Sequence, residues 1–394
     1  MDIFIFILST IIFYSLIFNQ KEFFYGFKES FSTAIFFYIH LPLFLYYFYQ
    51  DFLFDNFPYF NGYDLEKIIK IQYLTVLSFI SFLIGFFVLK KKIYFLKIKR
   101  NFYLSEIIIC ILLLIGLLYY RIPGLQPLIL IYILICVVIE RSKISNLKKL
   151  IYISIFALLM MYLSTQFFAA RRDLVKILII SLFFICLNYN SKKIIFPTFI
   201  ILTLLTIIGI FYNTYMRSGL GVNEDIIFKL IQPLNAFVAN YDFMPAFDNL
   251  MFILNIEDGF LYGKSLFKIF FSFIPRDIWP SKPLDTNALI TGLRKNAFVG
   301  GTSQSVTLIG EVYWNFKTIG VFIFFFLFGI FSKNYDLIKN DNLSDIQLIS
   351  LSSISYLGFI IWRGSISTKL IIFFINLIFI IFVLLSISYF LRKK

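Results

Sequence analysis

Charge is scarce in this chain. Asp, Glu, Lys and Arg make up 15% of its 394 residues, 60% are hydrophobic and the mean hydropathy is +0.86. A soluble fold cannot hide that much apolar surface, so the composition reads as an integral membrane protein. Cysteine is nearly absent. Cys110, Cys136 and Cys186 all lie inside apolar runs, with no CxxC pair, which excludes a disulfide framework. One histidine and no clustered cysteine argue against a thiolate- or imidazole-ligated metal, so no metal and no other cofactor is expected. Walker A and GxGxxG patterns are missing, which removes support for nucleotide binding. The apolar runs also hold almost no ionisable residues away from their ends. His40 in "FFYIHLPLF" is the main exception and reads as a hydrogen-bonded structural residue. That dryness counts against proton- or sodium-driven transport.

What is there is a series of apolar runs, at roughly 2–18, 32–54, 68–89, 103–120, 125–140, 150–167, 175–190, 194–212, 312–331, 346–362 and 369–391. They predict an all-α, polytopic integral membrane protein with about eleven transmembrane helices. Met-Asp, and no basic stretch, precedes the first run, which therefore reads as a retained helix. Three parts follow: membrane helices over 1–212, a large extracytoplasmic segment over 213–311, and membrane helices over 312–394.

Alternate connections carry the lysines. "NQKEFFYGFKES", "KKKIYFLKIKR", "RSKISNLKK", "SKK", "KNYDLIKNDN" and the terminal "RKK" together hold 16 Lys and 3 Arg. The bias of positive charge to the cytoplasm puts these inside, the N-terminus outside and the C-terminus inside. The net charge of +14 then reflects cytoplasmic lysine near anionic headgroups, and nucleic acid is not an expected partner. Arginine goes the other way. Arg121, Arg171, Arg172, Arg217, Arg276, Arg294 and Arg363, seven of the ten, fall on the outer side. A guanidinium grips phosphate through two parallel bonds and never deprotonates, so arginines placed against the charge bias point to an anionic ligand. Short outer loops that merely tolerate charge are the simpler reading.

Residues 213–311 are too long for a passive connection. "NEDIIFKLIQPLNAF" and "YGKSLFKIFFSFIP" have helical apolar spacing with scattered lysine, as expected of amphipathic helices in a lid at the membrane interface. "PRDIWPSKP" then holds Arg276, Asp277 and Lys282 among prolines that stiffen the backbone. "VGGTSQS" offers Gly300 and Gly301, whose backbone N–H groups can face an anion, or a plain turn. "LIGEVYWNF" follows, with Glu311 and Tyr313 at a helix start. A carboxylate there is costly unless it is functional or paired, and Lys317 or an arginine is the expected pair.

"IPRDIWPSKP", followed about twenty residues later by "GGTSQSVTLIGEVYWNFKTIG", resembles the outer-loop signature of Wzy-type polymerases of O-antigen and capsule repeat units. The motif likeness covers about fifty residues, and the rest is a likeness of topology. One departure is plain: the family often has glycine after "NF", where this chain has Lys317. The resemblance implies a GT-C-like glycosyltransferase in a bacterial inner membrane, with its active site on the outer, periplasmic face. It would move a growing glycan from polyprenyl diphosphate onto a sugar hydroxyl of a new polyprenyl-diphosphate-linked repeat unit. Membrane lipids, a chain-length regulator and a flippase are the implied partners. Glu311 is then the leading candidate for the base, with Asp277 the alternative carboxylate and Arg276 the foremost basic residue. Arg171, Arg172, Arg217, Lys282, Arg294, Gly300, Gly301, Tyr313 and Arg363 are candidates for holding diphosphate or glycan. An O-antigen ligase and a lipid-linked oligosaccharide flippase are the competing readings.

Overall fold

A computed structural model describes residues 3–18, 26–48, 65–90, 100–118, 125–167, 171–188, 197–198, 200–204, 206, 243–256, 259–272, 274, 277–294, 305–339 and 343–392. The fold is helical throughout these. In chain order come α1 (Ile3–Phe18), α2 (Phe27–Ile35), a π-turn (Phe36–His40) leading into α3 (Leu41–Phe48), α4 (Leu65–Val88), α5 (Leu104–Leu118), α6 (Pro127–Arg141), α7 (Asn146–Phe167) and α8 (Arg171–Asn188). Then follow α9 (Phe243–Asn255), α10 (Lys264–Phe271), α11 (Thr286–Leu293), α12 (Leu308–Lys339), α13 (Asp345–Ile360) and α14 (Ile366–Arg392). Five stretches among the described residues are long and apolar enough to cross a membrane: Phe27–Tyr47, Leu65–Val88, Asn146–Ser164, Leu308–Ile338 and Ile366–Leu391. Most of the run at 194–212 and the expected helix in "NEDIIFKLIQPLNAF" lie outside the described residues.

Among the described helices, α4 and α12 pack backbone against backbone. Lys70 meets Tyr313 near their starts and Gly85 meets Phe326 and Ile330 further along, so the two run parallel. Gly85 and Gly329 let the backbones touch. A Cβ on Gly85 would lie 2.0 Å from the Phe326 carbonyl oxygen, and one on Gly329 would lie 2.1 Å from that of Phe82. Small residues at such crossings are what permit close packing where lipid offers no hydrophobic drive between helices. The interior helix is α13, every residue of which is buried except Ile354. Its Ser350, Ser352, Ser353 and Ser355 hydroxyls return hydrogen bonds to their own helix backbone, which hides the polarity of a serine-rich core helix.

Charged groups gather where α12 ends and α13 begins. Lys28 lies 2.8 Å from Asp336 and 3.4 Å from Glu29, whose Oε2 accepts from the Gly26 N–H. Arg141 lies 2.8 Å from Asp345, which also accepts from the Phe102 N–H. These pairings correct one boundary: the run expected from residue 32 begins at Phe27, with Lys28 and Glu29 buried inside the helix. Mutual compensation makes that burial tolerable. His40 closes the π-turn with Nε2 3.2 Å from the Thr10 hydroxyl and Nδ1 3.4 Å from that of Tyr14.

One position in α12 is not helical. Lys317 has φ 57° and ψ −156°, a backbone region in which a side chain costs about 1–3 kcal/mol and glycine costs little. The kink frees the Trp314 carbonyl from its helical partner, and the Leu261 N–H takes it at 3.1 Å. The Trp314 indole N–H in turn donates to the Gly259 carbonyl at 3.0 Å, clamping the turn over 259–263 onto α12.

Candidate active site

Four helix starts meet at one carboxylate. Asp285 caps α11 by accepting from the Ala288 N–H at 2.8 Å, and this sets Thr286 at the helix head. Gly263, with φ 80°, turns the chain into α10 and presents Ser265. Gly364, with φ 86°, donates its N–H to the Val306 carbonyl at 2.9 Å, while Arg363 and Thr307 form an isolated antiparallel bridge. That pairing seats the start of α14 against the start of α12. Glu311 lies between them, fully buried.

Its Oε1 accepts from the Thr286 hydroxyl, and from Ser265 at 3.4 Å and Ser365 at 3.5 Å. Its Oε2 accepts from the Ile366 N–H, at the head of α14, at 2.7 Å. No Lys or Arg lies within 4 Å of it among the described residues. Among the described residues the expected pairing with Lys317 or an arginine is therefore not made. Helix N-termini and hydroxyls compensate this carboxylate instead. Asn315 extends the network: its Nδ2 donates to Ser265 Oγ and to the Glu311 carbonyl, each at 2.8 Å.

A second carboxylate sits beside the first. Asp285 Oδ2 accepts from the Lys268 ammonium and from Thr368 Oγ1 at 3.2 Å. Burial alone would push the Asp285 carboxyl up, but the hydrogen bonds from Lys268, the Ala288 N–H and Thr368, with the charge of Lys268, hold it below its ordinary 3.8. A depressed folded-state value stabilises the fold at pH above the unfolded value, and that contribution is lost as pH falls through the folded value. The difference in thermal midpoint between the wild type and Asp285→Asn should thus be full above pH 3.8 and shrink below it. A difference that grows on acidification would contradict the assigned ion pair.

The other candidates are distributed more widely. Arg294 ends α11 and is buried, 2.7 Å from Asp248, with Nη1 donating to Asn249 Oδ1 at 2.6 Å and the guanidinium over the Phe252 ring. It staples α11 to α9. Lys282 donates to the Ser272 and Ile274 carbonyls at 3.1 and 2.8 Å, closing the end of α10. Asp277 is exposed in a turn, and Arg171 and Arg172 open α8. Tyr313 is buried between two lysines, Lys70 at 5.2 Å and Lys317 at 5.5 Å from its ring centre. Arg121, Arg217, Arg276, Gly300 and Gly301 lie outside the described residues. The sequence reading missed Ser265, Lys268, Asp285, Thr286, Ser365 and Thr368. "DTNAL" carried a legible N-cap signal and "RGSIST" a hydroxyl-rich helix start, but neither names the carboxylate it serves.

The chain matches no protein-family model, and no curated protein and no solved structure is significantly similar to it.

Proposed function

We propose that this protein is a membrane glycosyltransferase that polymerises lipid-linked oligosaccharide repeat units at the outer face of a bacterial inner membrane. Convergence on Glu311 carries the reading. The stretches 277–287 and 305–320, which bear most of the described part of the resemblance, meet each other and 363–368 around this carboxylate. In this proposal a sugar hydroxyl of the acceptor gives its proton through Thr286 or Ser265 to Glu311. Its oxygen forms the new bond to the anomeric carbon of the donor glycan, and the polyprenyl diphosphate leaves with its bonding electrons. Arg363, whose backbone pairs with Thr307 at this end, and Arg276 of the resembling stretch would stabilise the departing negative charge.

The eleven-helix, N-out arrangement belongs to the same proposal. Two observations support it. Arg141 and Lys28, which belong to the lysine-rich loops, lie at the α12–α13 connection, Arg100 donates to Ser388 near the end of α14, and α4 runs parallel to α12 as an alternating chain requires of its third and ninth spans. The test is the surface-glycan ladder of a strain lacking this gene, complemented with wild type or Arg276→Ala. We expect the deletion to leave core plus a single repeat unit, wild type to restore the ladder, and an expressed Arg276→Ala to fail. Loss of even the single capped unit would favour the ligase or flippase, and an unchanged ladder would sink all three.

A further inference from the structure

Glu311 is closed off from any substrate in this conformation. The carboxylate and the three hydroxyls on it, Ser265, Thr286 and Ser365, are all 0% exposed. A base must come within hydrogen-bond reach of the proton it takes, so for Glu311 to act as proposed one of the elements around it has to move. The head of α12 carries Glu311 itself, and α14 is a long apolar helix continuous with its own head. Anchors hold α11: Ile290 is fully buried, Arg294 is paired with Asp248 on α9, and a Cβ on Gly364 would come within 2.9 Å of Asn287 Nδ2. That leaves α10. Ser265 is the only one of its eight residues that is buried. Leu266 and Ile269 are half-buried, and Phe267 and Phe270 turn outward at 53% and 67% exposure. An element with few buried apolar contacts is one that opens locally while the rest stays folded.

The turn before α10 is built as a pivot. Its foot is fixed, because the Leu261 N–H donates to the Trp314 carbonyl at 3.1 Å and the Trp314 indole N–H to the Gly259 carbonyl at 3.0 Å. Tyr262 and Gly263 follow with φ 46° and 80°. A tyrosine in that left-handed region is strained, and a swing of α10 would relieve it. Across the hairpin the Lys268 ammonium is paired with Asp285, which joins α10 to the anchored α11. We propose that α10 is a gate over Glu311, hinged at Tyr262 and Gly263 and latched by the Lys268–Asp285 ion pair. Opening withdraws Ser265 from Glu311 Oε1, where it sits at a long 3.4 Å, and from Asn315 Nδ2. An incoming sugar hydroxyl takes the place of the Ser265 hydroxyl, exchanging one hydrogen bond to the carboxylate for another, while Thr286 keeps its own. The sugar as entrant rests on the polymerase reading; the pivot and the latch are features of the fold.

The test is thiol labelling of the full chain in lipid nanodiscs with N-ethylmaleimide. Cys110, Cys136 and Cys186 are buried, so the wild type is the blank. Ser265→Cys on α10 should label in the folded protein, and Ser353→Cys, also buried but on α13, should label only after denaturation. Adding Lys268→Met to Ser265→Cys should speed labelling about tenfold, as expected for the loss of a charge-assisted hydrogen bond, and should leave Ser353→Cys inert. Hydrogen exchange gives a readout without the cysteine: the amides of α10 should exchange faster than those of α11, and Lys268→Met should quicken α10 alone. Ser265→Cys as inert as Ser353→Cys would overturn the gate, and so would α10 amides no faster than those of α11. Unchanged labelling with Lys268→Met would remove the latch, and equal acceleration of Ser353→Cys would replace the gate with general loosening. Labelling is read without any glycan ladder. A gate that opens in a chain that builds no ladder sinks the polymerase reading alone, and a ladder built behind an α10 that never opens sinks the gate alone.

Discussion

Gly329→Leu will yield little or no folded protein after membrane extraction, and Gly85→Leu will behave the same way. A Cβ at either site would meet a carbonyl oxygen of the neighbouring helix near 2 Å, at 2.1 Å for Gly329 and 2.0 Å for Gly85. Real Cβ atoms do not approach backbone that closely, so α4 and α12 must part. Separation removes contacts along a parallel pair that carries Phe82, Phe86 and Phe325 in the core. Overpacking a well-filled interior costs about 1–3 kcal/mol when side chains can give way, and more when backbone must move. Against a stability of about 5–15 kcal/mol, such a loss is severe. Gly116→Leu is the control, since nothing lies within 4 Å of a Cβ there. Gel filtration of the solubilised variants and their thermal midpoints decide the matter. Equal midpoints for Gly329→Leu and Gly116→Leu would show that the helices do not pack as described.

The same glycines mark where sequence legibility ends. Hydropathy makes "SFLIGFFV" and "FFFLFGIF" membrane helices, since twenty apolar residues have few alternatives in water. It does not say that the two glycines face each other, because pairing depends on which faces meet across 244 positions of chain. Charge shows a comparable limit. Lys28 and Glu29 look like loop residues until Asp336, far along the chain, is seen to neutralise them inside the helix. Amphipathic spacing, a local property, did reveal α10 in "YGKSLFKIFFSFIP". At the site, Glu311 stood out as a lone carboxylate at a helix start, which one sequence suffices to show. Its partners did not, because Thr286, Ser365 and Ile366 come from helix starts 25 to 55 residues away and are ordinary residues by type. Lys317 lies between these cases: its departure from glycine was visible, and its positive φ was not.

On the proposed polymerase reading, Glu311→Gln should fold in normal amounts and restore no glycan ladder, whereas Glu311→Ala should scarcely fold. The two outcomes follow from what surrounds the carboxylate. Alanine leaves the Ile366 N–H and the Thr286 hydroxyl without an acceptor in a site closed to solvent, at about 1–3 kcal/mol each, and adds a cavity. Glutamine keeps the volume. Its carbonyl oxygen can accept from Ile366, and its amide can donate to Thr286 once that hydroxyl rotates. What glutamine cannot do is take a proton from an attacking sugar hydroxyl, a step that contributes about 10²- to 10⁴-fold to a rate. Folding and chemistry thus separate at one atom. An expressed Glu311→Gln that restores a full ladder would reduce Glu311 to the buried acceptor that joins α11, α12 and α14. The base would then have to be sought elsewhere, with Asp277, exposed in its turn, the remaining carboxylate of the resembling stretch outside the Lys268 ion pair.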